Sequence, residues 1–173
     1  MKCRRNAQLS RIFLVARCIH TNVRYLEDFE AGERIQTPSV DVSRSDVTEF
    51  ASQFDPQPMH LDEDAATQGP LRGLSTSGWH TTAMAMKMIT AADPFDGGPV
   101  LGLGVDELRW PNPVRPGDRI TGELEVVSIT PSKSKPTHGV IRMHVTVRNQ
   151  KGDVVLSMFP NLWVPRRNGH SAA

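Results

Sequence analysis

Asp55 and His60 stand five residues apart in Phe54-Asp55-Pro56-Gln57-Pro58-Met59-His60-Leu61-Asp62, the densest polar cluster of the chain. A carboxylate and an imidazole within reach of one water form a general acid/base pair, because the carboxylate can take a proton or orient the ring while a histidine titrates near neutrality. Pro56 and Pro58 lower the entropy of holding the two groups in one geometry. The same residues also suit a helix-terminating loop whose polar groups only satisfy the backbone, so the cluster alone leaves both readings open.

A second segment, Gly73-Leu74-Ser75-Thr76-Ser77-Gly78-Trp79-His80, runs small residues into the start of an apolar helix. Free N–H groups there, with the positive end of the helix dipole, would stabilise an oxygen that gains negative charge. Gly78 would let a substrate approach the backbone closely, and Ser77 is equally compatible with a plain N-cap. His80, one turn into that helix, reads as a satisfied core histidine rather than an acid or base. Asp55, His60 and His80 lack the ligand spacing of zinc motifs, so no metal is expected. Arg109-Trp110-Pro111 reads as packing at a strand end. Ser132-Lys133-Ser134-Lys135-Pro136 reads as a solvated hairpin turn, with contact to an anionic nucleotide head group as the alternative. The chain has no phosphate-binding glycine loop, nucleophile elbow or aromatic-basic nucleic-acid pattern.

The elements that must position these groups are legible from periodicity. Arg34 to Val42, with Pro38 inside, reads as an edge strand or extended arm. Ser43 with Asp46 three residues on resembles a capping box, and Val47, Phe50, Ala51 and Phe54 share one helical face, which predicts a helix to about Phe54. Asp55-Pro56-Gln57-Pro58 should end it and open a loop. Ser77 to about Ala92 predicts a second helix, apolar nearly all round through Trp79, Ala83, Met84, Ala85, Met86, Met88 and Ile89, and therefore buried. Beyond Val100 the period becomes two: Ile141, Met143, Val145 and Val147 alternate with Arg142, His144, Thr146 and Arg148. Strands are expected near 101–110, 119–130, 138–149 and 153–164, with turns at Gly117-Asp118 and Lys151-Gly152-Asp153. The fold class is α+β: one antiparallel sheet with the long helix packed on a face.

Composition agrees with one ordinary domain. Hydrophobic residues make up 38% and charged ones 23% of 173 residues, which disfavours disorder, and no apolar run is long enough to span a membrane. A net charge of +1 gives no global attraction to nucleic acid or membrane. The charge is uneven: residues 1–26 hold six basic residues and no acid, leaving 14 basic against 19 acidic in the remainder. Residues 1–24 therefore read as a leader outside the fold, either a mitochondrial targeting peptide or a non-native extension. Residues 25–167 form the domain and 168–173 a flexible tail. A cytoplasmic location is expected, or the mitochondrial matrix if the leader is a targeting peptide. Both cysteines, Cys3 and Cys18, lie in the leader, so neither a disulfide framework nor a four-cysteine metal site is expected.

The Asp55–Asp62 segment, Gly73-Leu74, Ser77-Gly78-Trp79 opening a buried helix, and Pro113-Val114-Arg115-Pro116-Gly117-Asp118 before a strand together resemble the MaoC-like dehydratases, the (R)-specific enoyl-CoA hydratase family. The resemblance spans about Tyr25 to Arg166. It implies a single hot-dog domain, in which an antiparallel sheet wraps a long central helix. It also implies reversible addition of water to a 2-enoyl thioester, with Asp55 and His60 activating the water and the Gly78 amide meeting the thioester carbonyl. Gln57, Pro58, Ser77 and Trp79 become substrate-binding candidates. Metal and redox cofactors are not implied; coenzyme A or carrier-bound pantetheine is the handle of the substrate. A homodimer or dimer of dimers is implied as well. The chain departs from the family pattern where Phe54-Asp55-Pro56-Gln57-Pro58 replaces the common Gly-Asp-x-Asn-Pro and where Ser77 precedes the helix glycine in place of a histidine, which bears on substrate identity. A hot-dog thioesterase and a non-catalytic acyl-thioester binding module are the competing readings.

Overall fold

Alternation decides the sheet. Along the 138–149 segment every second side chain is buried, and its neighbours in the sheet follow the same period, so one face is dry and the other wet. The computed structural model describes residues 23–167; the leader and tail expectations fall almost wholly outside the described residues. A 3-10 turn at Leu26–Asp28 is followed by β1 (Arg34–Gln36), β2 (Val40–Asp41), α1 (Arg44–Phe54), α2 (Pro58–Leu61), α3 (Glu63–Gln68), α4 (Gly78–Ala92), β3 (Leu101–Arg109), β4 (Arg119–Pro131), β5 (His138–Asn149) and β6 (Val154–Pro165). All strand pairs are antiparallel, in the order β1-β4-β5-β6-β3, with β2 also on β4.

The expected arm at 34–42 is two short strands on one edge. The chain breaks at Thr37-Pro38-Ser39, where proline can donate nothing to a ladder and the Thr37 hydroxyl instead accepts from the Gly122 amide at 2.9 Å. The tight turns before β4 and before β6 use Gly117 and Gly152 at φ +91° and +86°, a region open to glycine.

α4 lays Met84, Ala85 and Met88 against Ile120, Leu124, Val126, Ile141, Met143, Val145, Leu156 and Met158 of the sheet, which makes the core. Its start is capped by Ser77, and it ends where Asp93 turns left-handed at φ +48°. The expectation of burial nearly all round fails for this helix: Trp79 and Met86 are 61% and 54% exposed, on a face that no other described element covers. α1 is capped as expected, its Ser43 hydroxyl accepting from the Asp46 amide at 3.1 Å. Its apolar face is narrower than the pattern suggested, since Val47 and Ala51 are buried whereas Phe54 is 69% exposed. Among the described residues no helix is long and apolar enough to cross a membrane.

Candidate active site

The turn between α1 and α3 is more regular than a loop. Asp55 caps α1 and leaves helical geometry at φ −153°, its N–H still bonded to the Ala51 carbonyl at 2.9 Å. Pro58 then opens α2 at its first position, where its fixed φ fits and its missing N–H costs nothing. Asp62 closes this single turn and its side chain caps α3 by accepting from the Ala65 amide at 2.8 Å. His60 is thereby carried on a helical turn, a correction to the loop expected for it, and its side chain is driven into the protein, where it is buried.

The ring of His60 has two distinct ends. Nδ1 lies 2.9 Å from the main-chain carbonyl oxygen of Ser75. A carbonyl can only accept, so Nδ1 carries the hydrogen and Nε2 of the neutral ring presents a lone pair. That Nε2 faces Asp55 Oδ2 at 3.6 Å. The gap is too long for a direct hydrogen bond, yet one water oxygen can lie about 2.8 Å from both atoms at once.

Asp55 is held as a carboxylate. The Ser77 hydroxyl, the Gln57 side-chain amide and the positive charge available at His60 keep its carboxyl below the ordinary aspartate range, and partial burial works against them. Gln57 Nε2 donates to Asp55 Oδ1 at 2.7 Å. Oδ2, on the other side, faces the imidazole.

The start of α4 completes the arrangement. Ser77 accepts from the Trp79 amide at 3.2 Å, while the Gly78 amide, on the first residue of the helix, makes no hydrogen bond among the described residues. Four consecutive residues thus serve three purposes: the Ser75 carbonyl orients His60, the Ser77 hydroxyl supports Asp55, and the Gly78 N–H stays free at the positive end of a helix. The arrangement can hold a water between base and carboxylate and stabilise negative charge on a nearby oxygen.

Of the expected site residues, Asp55, Gln57, His60 and Ser77 meet directly, and Gly78 follows Ser77 in the chain. Pro58 shapes α2. Trp79 points outward and meets Trp110 edge to face, ring centroids 5.4 Å apart. The small size of Gly78 has a cause other than the one expected: the Trp110 indole lies against its Cα, where a Cβ would stand 2.6 Å from the ring. One participant escaped the sequence: Ser75 acts through its carbonyl, which no residue type advertises. Trp110, read as packing at a strand end, does pack, on a glycine 32 positions away that the sequence could not name. His80 is buried as expected but not satisfied: its Nδ1 has no hydrogen-bond partner. It lines a groove of about 380 Å³ between α1 and α4 with Asp46, Phe50, Phe54, Met84 and Lys87. Among the described residues no three histidine, cysteine or acidic side chains are grouped to hold a metal ion.

A single antiparallel sheet wrapped on one central helix is the hot-dog architecture. The chain belongs to the MaoC-like family: the sequence model of the MaoC like domain matches residues 28–149. The uncharacterized protein YdeM of Bacillus subtilis (strain 168) is 30% identical over 126 residues, 73% of this chain and 88% of YdeM. The crystal structure of the MaoC-like dehydratase from Rhodospirillum rubrum matches with a TM-score of 0.79 at 41% identity, over 83% of this chain and 98% of that one. The unliganded R-hydratase PhaJ1 from Pseudomonas aeruginosa matches with a TM-score of 0.68 at 25% identity, over 84% and 88% of the two chains.

Proposed function

We propose that the chain is a hydro-lyase that adds water reversibly to a 2-enoyl thioester of coenzyme A or a pantetheine carrier. The observation that carries the reading is the 3.6 Å gap between His60 Nε2 and Asp55 Oδ2, with the other ring nitrogen fixed on Ser75. In the hydration direction His60 Nε2 takes a proton from the water held in that gap, and the water oxygen bonds to the β-carbon. The double-bond electrons move onto the thioester carbonyl oxygen, which the Gly78 amide meets as an enolate. The imidazolium then delivers its proton to the α-carbon, and the carbonyl re-forms. Asp55, kept ionised by Ser77 and Gln57, orients the water and stabilises the imidazolium. A donor aimed at the enolate contributes where the barrier lies. Neither a metal nor a redox cofactor is required by such an addition. The names of the Rhodospirillum and Pseudomonas proteins support the reaction class.

The assembly that goes with this reading is a homodimer. β3 forms one edge of the sheet and exposes Leu101, Leu103 and Val105, while α4 exposes Trp79 and Met86. A second copy covering these residues would remove an apolar edge from water.

A panel of 2-enoyl thioesters, followed both for loss of the conjugated chromophore and for free thiol, tests the reaction. Loss of conjugation without thiol is expected. Thiol release would make the protein a thioesterase instead, and binding without either change would make it an acyl-thioester carrier module.

A further inference from the structure

β3 does not run straight to its end. Its pairing with β6 slips between Asp106 and Arg109, and inside the slip Glu107 adopts φ +51°, a left-handed conformation that a residue with a full side chain takes only when its surroundings impose it. Arg142 pairs with both Asp106 and Glu107 and ties the bulge to the sheet. Immediately beyond it, Trp110 lies on the first turn of α4. The indole sits flat on Gly78, with Cδ2, Cε2 and Cε3 2.6–2.8 Å from where a Cβ would be. Its Nε1 donates to the Thr82 hydroxyl at 3.1 Å, and Trp79 braces it edge to face at an interplanar angle of 72°. A side chain that remains 40% exposed is thus fixed on three sides, which core filling does not require.

We propose that Trp110 is a specificity-determining residue, an aromatic wall beside the thioester carbonyl that excludes substrates branched at the α-carbon. The inference rests on the hydratase reading above and adds the substrate class. An oxygen held about 2.9 Å from the Gly78 nitrogen lies one bond angle away from the Cβ direction of the same residue, and the indole fills that direction. We place the acyl α-carbon, rather than the sulfur, alongside the ring, the side from which the β-carbon continues toward the water at His60 and Asp55. A hydrogen there fits; a methyl group on that side meets indole carbons that Thr82 and Trp79 prevent from moving away. Strain at Glu107 is consistent with a strand end bent to place this one residue.

The test compares kcat/KM for 2-butenoyl-CoA and 2-methyl-2-butenoyl-CoA in the wild type, Trp110→Ala and Thr82→Val. The second variant keeps the volume of the side chain and removes the acceptor of the indole N–H, together with the hydroxyl's own bond to the Gly78 carbonyl at 3.0 Å, whose effect on both substrates cancels in the ratio. One methyl group in a pocket being worth about 10- to 200-fold, Trp110→Ala should raise the branched-to-unbranched ratio by at least about tenfold, and Thr82→Val should move it the same way by less. Wild-type activity on the unbranched substrate with an unchanged ratio in both variants would overturn this inference alone. If Trp110→Ala fails to fold, the ratio in Thr82→Val decides. A wild type that hydrates neither substrate would overturn the hydratase reading and this inference with it.

Discussion

Phe50 and His80 lie face to face, their ring planes 7° apart and their centroids 4.6 Å apart. The stack joins α1 to α4 and shuts the imidazole away from water, and that burial holds the His80 pKa below the ordinary histidine value while the charge of Asp46 pulls weakly the other way. In the unfolded chain the same residue titrates near 6.5. The folded form therefore resists a proton that the unfolded form accepts, so this contribution to stability is intact above about pH 6.5 and is lost as pH falls toward the folded value. Replacing His80→Phe keeps a ring against Phe50 and removes the titration. Melting temperatures at pH 8 and pH 5.5 should differ less in the variant than in the wild type; equal differences would clear His80 of any part in acid sensitivity.

Asp55→Asn and His60→Ala should each lower hydration by about 10²- to 10⁴-fold, the usual worth of a general acid or base. Circular dichroism should show both variants folded, with His60→Ala the less stable of the two because it also gives up a buried ring and its bond to the Ser75 carbonyl. Folded variants that turn over at the wild-type rate would remove these two residues from the chemistry.

The carboxylate of Asp55 is stabilised first by Ser77 and then by Gln57. Activity that depends on this carboxylate is present above its lowered pKa and disappears as pH falls through it. Gln57→Ala takes away one donor, so the Asp55 pKa should rise and the acid limb of kcat/KM should move to higher pH. Ser77→Ala should move it further, and should also cost about 1 kcal/mol of stability because Ser77 caps α4. An acid limb that stays in place in both variants would show that another group sets it.

Sedimentation of the wild type should give a dimer at working concentration. Leu103→Glu puts a charge in the middle of the open edge of β3, where Leu103 is exposed in the single chain, and should shift the equilibrium toward monomer. A wild type that sediments only as monomer would overturn the assembly.

Strong alternation made the sheet readable. Strands expected near 101–110, 119–130, 138–149 and 153–164 occur at 101–109, 119–131, 138–149 and 154–165; one buried face forces a period of two most clearly in β4 and β5, whereas β3 is exposed along nearly its whole length. α3 escaped notice since Glu63, Asp64, Thr67 and Gln68 leave only Ala66 buried and no apolar stripe to detect. The misjudged burial of α4 has a different origin: an all-apolar helix signals that every face will be covered, but not that the single chain covers them all. At the site, Asp55, Gln57 and His60 were legible because they are close in sequence and rigidified by proline. Ser75 was not, since it contributes a main-chain oxygen, and Trp110 was legible as packing at a strand end but its contact with Gly78, 32 positions away, was not.

The two margins of the sheet are unlike. Beside β1 and β2, Pro38 offers no hydrogen to a newcomer, and Arg34, bridged to Glu123 and Glu125 at 3.2 and 2.8 Å, lines that margin with charge. Among the described residues, β3 is the edge left open to further strand pairing. Two copies joined symmetrically through it, as in the proposed dimer, would each use that edge, and growth would stop at a closed pair. The proline break and the charged margin, across the sheet from that edge, would then disfavour a continuous ribbon.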